Sequence, residues 1–189
     1  MTSPNKTWFI TGAGRGMGVD FAKAALAAGH DVVATGRNPD AVAEAVGEAD
    51  GLLVVKLDVT STQDAATAVR AAVDRFGGID VLVNNAGLTM WARFEDIEDL
   101  SILERIMQVN YMGAVYCTRH ALPWLRQSGG VLVGISSLAG RTGVPTRTGY
   151  SASKHAMAGF FDSLRIELAG SGVAVTMIYP GFVSTGIRE

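Results

Sequence analysis

The chain alternates between short apolar runs and longer segments in which apolar residues recur at helical spacing. Six of the runs are almost continuously apolar and rich in β-branched residues, which is typical of strands buried on both faces of a parallel sheet. They are TWFIT (7–11), DVVAT (31–35), LLVVKL (52–57), IDVLV (79–83), GVLVGIS (130–136) and VAVTMIY (173–179). The pattern therefore predicts six buried strands.

Helical segments lie between these strands and begin near Met17, Pro39, Ser61, Asp99 and Gly149. Two of these starts carry capping signals, because Asn38 precedes Pro39 and Ser61 is followed three residues later by Asp64. Strand, helix and strand recur along the chain, and each parallel crossover must pass over a face of the sheet. We therefore expect a Rossmann-type, doubly wound α/β fold with helices on both faces of a parallel sheet, as a single domain over residues 1–189.

Charge and histidine content argue against several classes of partner. The net charge is −2, and the 16 Lys and Arg residues are scattered along the chain. We therefore expect neither nucleic acid nor a membrane surface to bind. His30, His120 and His155 stand far apart with no cysteine or carboxylate at ligand spacing, so we expect no metal site.

The compartment is inferred from the single cysteine and from the absence of targeting signals. Cys117 cannot form an internal disulfide, which fits a reducing compartment, and it is interpreted as a small core residue. The first residues do not match a signal peptide, and no apolar run reaches the roughly 18 residues that span a bilayer. We expect a cytoplasmic protein.

A glycine-rich segment, TGAGRGMG (11–18), directly follows the first strand and opens the first helix. The N–H groups and partial positive charge of a helix N-terminus attract phosphate, and glycine lets the main chain approach it. The spacing Gly12, Gly14, Gly16, Gly18 differs from the G-x-G-x-x-G form, so the glycines alone also fit plain turn chemistry. Their position in the alternating pattern favours nucleotide binding.

The end of the second strand indicates which dinucleotide would bind. A domain that uses NAD usually places a carboxylate there to hold the ribose 2′-hydroxyl, whereas an arginine accommodates a 2′-phosphate. This chain has Thr35, Gly36 and Arg37 at that point and no carboxylate, and Arg15 in the loop adds a second cation. We predict NADP(H), with NAD(H) as the less favoured cofactor.

Four motifs follow one another in order: TGAGRGMG (11–18), NNAG (84–87), YSASK (150–154) and PGFVST (180–185). Together with a serine thirteen residues before the tyrosine, they resemble the motifs of the short-chain dehydrogenase/reductase family over essentially the whole chain. The second half is also similar to the hydroxysteroid-dehydrogenase-like branch. Each piece alone fits a turn, a loop or a strand end, and the order is what favours the family.

The resemblance extends the predicted cofactor site beyond the glycine loop and Arg37. It implies adenine contacts after the third strand, a cofactor-lining loop after the fourth and nicotinamide contacts after the sixth. The full set is Gly12, Arg15, Gly16, Met17, Gly18, Arg37, Asp58, Val59, Asn85, Ala86, Gly87, Tyr150, Lys154, Pro180, Gly181, Val183 and Thr185.

The candidate catalytic residues are Asn110, Ser137, Tyr150 and Lys154. Helical spacing puts Tyr150 and Lys154 on one face, and Ser137 leaves the fifth strand at the edge where such sheets bind ligands. The resemblance implies an alcohol or ketone oxidoreductase in which Tyr150 is the general acid and base. It implies that Lys154 lowers the pKa of the tyrosine and binds the cofactor ribose, and that Ser137 donates a hydrogen bond that orients the substrate oxygen. It also implies that Asn110 holds a water that connects the lysine to solvent. An asparagine is mildly unfavourable inside a helix, which supports a functional role for it.

The chain ends at Glu189, whereas the family continues with a substrate-covering helical lid and a last strand. We expect this chain to lack both, either because the molecule is longer than the sequence given or because it is a truncated form. One alternative is a non-catalytic NADP(H)-binding or regulatory protein. A second is a nucleotide-sugar epimerase or dehydratase, which the loop spacing disfavours.

The sequence predicts the substrate and the oligomeric state only as broad classes. Met90, Trp91 and Phe94 fit either an apolar wall for a hydrophobic ketone or core packing. The resemblance implies a small carbonyl or alcohol substrate and a homodimer or homotetramer paired through the helices that carry Asn110 and Tyr150.

Overall fold

The computed structural model describes residues 5–181 and residue 183, which form a six-stranded parallel sheet in the order β3-β2-β1-β4-β5-β6. The strands are β1 (Thr7–Ile10), β2 (Asp31–Gly36), β3 (Leu52–Lys56), β4 (Val81–Asn84), β5 (Val131–Ile135) and β6 (Ala174–Ile178). Four strands lie within their predicted apolar runs, and β2 and β4 each extend one residue past theirs, to Gly36 and Asn84. The strand order reverses at β1, which pairs with β2 on one side and with β4 on the other, so that Phe9 lies opposite both Val33 and Leu82. Ligands bind at such a reversal in doubly wound sheets.

Helices cover both faces of the sheet, which confirms the predicted fold class. They are α1 (Met17–Ala27), α2 (Pro39–Val46), α3 (Thr62–Phe76), α4 (Ser101–Met107), α5 (Gly113–Ser128) and α6 (Thr148–Glu167), with short 3₁₀ turns at Phe94–Asp96 and Leu138–Gly140. Adjacent strand residues point to opposite faces. Phe9 packs with residues of α3, α5 and α6, whereas Ile10 packs with residues of α1 and α2. The sheet thus separates an apolar core on one face from another on the opposite face.

The predicted capping residues occupy the N-caps of their helices. Asn38 accepts hydrogen bonds from the N–H groups of Asp40 and Ala41 at the start of α2. Ser61 accepts one from the N–H of Asp64 at the start of α3. Such caps satisfy N–H groups that the helix itself leaves unpaired.

Two features differ from the sequence-based expectation. The helix expected from near Asp99 consists of α4 and α5 joined by a π-helical segment, Gln108–Met112, in which the helix is locally wider.

The last apolar run, β6, forms an edge strand of the sheet in the described residues. Its alternate side chains are exposed, that of Ile178 by 42%. Strand β6 is therefore not buried on both faces within the described residues.

Within the described residues, no helix combines the length and the apolar character that crossing a bilayer requires.

Candidate functional site

A cavity of about 660 Å³ opens at the carboxyl ends of four neighbouring strands. Its walls come from the segments after β1, β2, β3 and β4 and from the region where α4 meets the π-helical segment. Of the predicted cofactor contacts, it is lined by Gly12, Arg15, Gly16, Met17, Arg37, Asp58, Val59, Asn85, Ala86 and Gly87. The topology thus brings ten predicted positions, from the segments that follow four different strands, to one cavity. The predicted contacts of the YSASK and PGFVST motifs do not line it.

The glycine loop is shaped by close backbone approaches. Gly12 has φ 69°, and a Cβ placed there would lie 2.9 Å from the Cα of Ala86. A Cβ on Gly18 would lie 2.2 Å from the carbonyl oxygen of Gly12. Both positions therefore require glycine. Gly18 does not line the cavity and instead lets α1 pack against the loop, while Gly16, at the N-cap of α1, has no side chain to cap the first turn.

Hydrogen bonds fasten the glycine loop to the NNAG segment. The hydroxyl of Thr11 accepts from the N–H groups of Asn85 (2.9 Å) and Ala86 (3.0 Å). The side-chain amide of Asn85 donates to the carbonyl oxygens of Thr11 (2.9 Å) and Gly12 (3.1 Å). These bonds hold the segments after β1 and β4 in one arrangement across the strand-order reversal.

Three arginines and one carboxylate give the cavity its charge. Arg15 and Arg37 line it as predicted, and Arg105 joins them from α4. The side chain of Asp58 accepts hydrogen bonds from the N–H and the hydroxyl of Thr60. These bonds, together with Arg37 and Arg105, keep the pKa of Asp58 below its ordinary value. The cavity therefore offers three cations and a carboxylate that stays ionised.

Lys154 is buried beneath the other candidate catalytic residues. Its Nζ donates to the carbonyl oxygen of Ile135 (2.8 Å) and lies 5.8 Å from the centroid of the Tyr150 ring. Burial lowers the pKa of Lys154 from 10.5 to about 8. A Cβ on Gly87 would lie 3.7 Å from this nitrogen, so the lysine also adjoins the loop that follows β4. Tyr150 and Lys154 are therefore brought together as the helical spacing predicts.

Asn110 lies in the π-helical segment and is fully enclosed, with 1% of its surface exposed. Its Oδ1 accepts from the N–H of Leu88 (2.7 Å), and its Nδ2 donates to the carbonyl oxygen of Leu88 (2.9 Å) and to the hydroxyl of Ser153 (2.9 Å). Ser153 in turn donates to the carbonyl oxygen of Tyr150 (2.8 Å). Asn110 thus connects the loop after β4 with the helix that carries Tyr150 and Lys154.

Ser137 stands just past β5, where its hydroxyl accepts a hydrogen bond from the N–H of Ala139 (3.2 Å). The neighbouring Leu138 N–H donates to the carbonyl oxygen of Pro180, which follows β6. Gly181 and Val183 are exposed, and Thr185 lies outside the described residues. The structure therefore places Ser137 and Pro180 at the same edge of the sheet as the cavity.

A family model described as short chain dehydrogenase matches residues 6–189. The chain belongs to this family. Among curated proteins, it is 39% identical to the oxidoreductase BOA17 of Botryotinia fuckeliana, covering 95% of this chain and 66% of that protein. It is 37% identical to the 11-beta-hydroxysteroid dehydrogenase 1A of Arabidopsis thaliana, covering 97% of this chain and 54% of that protein. The chain thus spans between about half and two thirds of the length of these relatives.

Solved structures of short-chain dehydrogenases share the fold closely. One from Streptomyces avermitilis superposes with a TM-score of 0.90 at 34% identity, over 97% of this chain and 68% of that one. Enzymes of the family from Burkholderia phymatum, in complex with NAD, and from Burkholderia cenocepacia, in complex with NADP, both superpose with a TM-score of 0.91. Their identities are 28% and 29%, over 99% and 100% of this chain and 69% and 77% of theirs. Members of the family with this fold therefore bind either nucleotide.

Sequence reasoning did not identify several residues of the site. Asn38 and Thr60 line the cavity directly after predicted strand ends, so their positions carried a usable signal. Arg105 and Gln108 line it from a helix, where nothing in the sequence separates them from other exposed residues. Ser136, whose buried hydroxyl donates to the carbonyl oxygen of Lys154 (3.3 Å), was overlooked beside Ser137.

The apolar residues after NNAG divide between the two roles considered for them. Met90 is buried in a small apolar cluster with Tyr150 and Ile106. Trp91 and Phe94 are 53% and 61% exposed. Core packing therefore accounts for Met90 but not for the two aromatic side chains. Within the described ranges, no group of His, Cys, Asp and Glu is arranged to hold a metal ion.

Proposed function

We propose that this chain carries an oxidoreductase site that transfers hydride between NADP(H) and a carbonyl compound or secondary alcohol, with Tyr150 as general acid and base. The observation that carries the proposal is the pair of Tyr150 and Lys154, 5.8 Å apart from ring centroid to Nζ, beside a cavity built from the nucleotide-binding motifs. Small-molecule sites occupy cavities of this size, between about 300 and 1,000 Å³.

The residues present fit a dinucleotide. The uncapped first turn of α1 faces a cavity lined by glycines, so main-chain N–H groups can meet a pyrophosphate there. Three arginines line the same cavity and balance its charge. Lys154 adjoins Gly87 at the inner end, where a ribose hydroxyl would meet its amine. When bound, the nicotinamide supplies or accepts the hydride.

Proton transfer is assigned to the buried side chains. In reduction, the Tyr150 hydroxyl gives its proton to the carbonyl oxygen as that oxygen becomes an alcohol, and in oxidation the phenolate takes the proton back. Lys154 places its amine 5.8 Å from the centroid of the Tyr150 ring. Ser137 donates a hydrogen bond that orients the substrate oxygen, and Asn110 fixes the α6 turn that holds both catalytic side chains.

The preference for NADP(H) is supported by exposed cations. Arg37 and Arg15 line the cavity where the segment after β2 meets the glycine loop, and the end of β2 carries no carboxylate. A guanidinium binds a 2′-phosphate through two N–H groups. We expect kcat/KM with NADPH to exceed that with NADH by about 10-fold or more, and Arg37→Met to remove most of the difference. An equal ratio or a preference for NADH in the unaltered protein would refute this assignment.

The catalytic assignment is tested by Tyr150→Phe, with Tyr116→Phe on α5 as a matched control. Initial rates of NADPH oxidation are measured with acetophenone, 2,3-butanedione, 9,10-phenanthrenequinone and an 11-keto steroid, the last chosen because curated relatives are named hydroxysteroid dehydrogenases. We expect Tyr150→Phe to lower kcat at least ~100-fold with NADPH binding retained, and the control to be unchanged. Retained turnover in Tyr150→Phe removes the tyrosine from the mechanism. Tight NADPH binding with no turnover of any probe favours a non-catalytic nucleotide-binding protein.

We further propose a homodimer or homotetramer paired through α6 and the helical region that carries Asn110, located in the cytoplasm. The family supports the assembly, and the free, buried Cys117 supports the compartment. Sedimentation velocity of the purified chain tests the assembly, and a monomer at micromolar concentration would contradict it.

A further inference from the structure

Tyr150 lies between two cationic side chains, not beside one. Residues 147, 150 and 154 are spaced at three and four positions, so they share one face of the chain entering and forming α6. The guanidinium carbon of Arg147 lies 5.5 Å from the centroid of the Tyr150 ring, and the Lys154 amine lies 5.8 Å from it. The arginine is therefore as close to the aromatic ring as the lysine is.

Arg147 also holds the loop that follows β4. Its guanidinium carbon lies 3.6 Å from the centroid of the Trp91 ring, and its Nη1 donates to the hydroxyl of Thr89 (3.0 Å). Next to it, the N–H of Ala92 donates to the carbonyl oxygen of Thr146 (3.0 Å). One side chain and one main-chain bond thus clamp the start of α6 against residues 89–92.

The local sequence at this clamp opposes helix formation. Arg147 occupies the N-cap of α6, where a side chain that accepts hydrogen bonds is favoured and a cation is disfavoured by the helix dipole. Thr146 has φ 64°, the one positive value among non-glycine residues in the described part of the chain. Both choices cost stability, and such departures cluster where function requires a particular geometry.

We propose that Arg147 is a positioning residue, which fixes the ring of Tyr150 for proton transfer by clamping the first turn of α6 onto Thr89 and Trp91. This inference rests on the proposed role of Tyr150. Arg147 need not touch substrate or cofactor. It acts through Tyr150, which lies three residues further along the same turn. The N–H of Ser151, the next residue, donates to the carbonyl oxygen of Arg147 (2.8 Å), so the main chain around the tyrosine is tied to Arg147.

The clamp itself is tested without turnover. Amide hydrogen exchange is measured by mass spectrometry in Arg147→Met, with Arg75→Met as the control, because Arg75 also stacks on an aromatic ring (Phe76, 5.1 Å) but lies on α3 away from the site. We expect faster exchange in peptides covering 88–97 and 146–151 for Arg147→Met only. Unchanged exchange in both peptides overturns the clamp.

The catalytic consequence is tested with whichever of the four carbonyl probes the unaltered protein reduces fastest. We expect Arg147→Met to lower kcat by about 10-fold with the Kd for NADPH unchanged, since misplacing a catalytic group lowers the rate without weakening cofactor binding. Arg147→Lys keeps the positive charge but not the planar guanidinium group. Its kcat should therefore lie between that of the unaltered protein and that of Arg147→Met. Unchanged kcat together with faster exchange overturns the positioning role.

Two further outcomes separate this inference from the proposed function. If Arg147→Met does not fold, Thr89→Val decides, because it removes only the hydrogen-bond acceptor: a fall in kcat of about 5-fold supports the inference and an unchanged kcat overturns it. If Tyr150→Phe retains turnover, the proposed function fails and the positioning role fails with it. If Tyr150→Phe loses turnover but Arg147→Met keeps the kcat of the unaltered protein, only the inference about Arg147 is overturned.

Discussion

The two halves of the site are built in opposite ways. The cavity side includes the glycines of the loop after β1, and its arginines, Arg15, Arg37 and Arg105, are exposed. The side chains on the other half are enclosed: Asn110 is 1% exposed, Lys154 3% and Tyr150 8%. Exposed charges can change with little effect on folding, whereas buried polar groups stabilise the fold only while every partner is satisfied. Recognition and stability are thus separable at the exposed arginines of the cavity side and coupled on the catalytic side.

The largest effect is expected where the buried network is broken at its centre. Asn110→Ala leaves the N–H and the carbonyl oxygen of Leu88 without their partner and takes one hydrogen bond from Ser153. Two unsatisfied groups and a small cavity should lower the free energy of unfolding by about 4 kcal/mol. Urea denaturation followed by circular dichroism measures it.

Ser153→Ala is the matched control, since it removes the bonds of the Ser153 hydroxyl to Asn110 and to the Tyr150 carbonyl but keeps both bonds of Asn110 to Leu88. It should cost about 1 kcal/mol. If Asn110→Ala were no more destabilising than Ser153→Ala, the network would not support the fold and the contrast between the two halves would fail.

The cavity side should respond instead to main-chain crowding. Gly18→Ala would place a Cβ 2.2 Å from the carbonyl oxygen of Gly12 and 2.7 Å from the Asn85 amide, which must then shift. We expect the free energy of unfolding to fall by about 3 kcal/mol, as for strong overpacking, and NADPH affinity to fall with it. Fluorescence titration with NADPH and urea denaturation measure the two changes.

Gly159 on α6 provides the control, because a Cβ there meets nothing within 4 Å and its φ is ordinary. Gly159→Ala should therefore be neutral or stabilise by up to about 1 kcal/mol. Equal effects of the two substitutions would show that helix propensity, not close approach to the loop, governs Gly18.

The same contrast explains how far the sequence could predict the molecule. The strands and the glycine loop followed from local patterns, because a buried parallel strand and a phosphate-binding turn each restrict their own residues. The π-helical segment at Asn110 could not be predicted, since it depends on bonds to Leu88, a residue 22 positions away. The exposure of alternate side chains of β6 could not be predicted either, because an apolar run does not indicate where its strand lies in the sheet. Arg105 reached the cavity through helix placement alone.

The smallest effect is a change of stability with pH that only the buried half should produce. Because burial lowers the pKa of Lys154 from 10.5 to about 8, the unfolded chain binds more protons than the folded one between these values. The free energy of unfolding therefore rises with pH across that window, as the folded protein loses a charge that is costly to bury. Relative to Lys154→Met, the unaltered chain should gain about 2 kcal/mol between pH 8 and pH 10.

Comparison with a variant is necessary because Cys117 acts in the opposite direction. Burial raises the pKa of its thiol from 9.0 to about 12, so the unfolded chain loses that proton first and stability falls as pH rises through this range. Both proteins carry Cys117, and the difference between them isolates the lysine. Arg37→Met is the control from the cavity side: its side chain is exposed and Lys154 stays in place, so this variant should keep the pH dependence of the unaltered chain. Parallel curves for Lys154→Met and the unaltered chain from pH 8 to pH 10 would mean that the amine is solvated, and the division of the site into an open and an enclosed half would then not hold at its central residue.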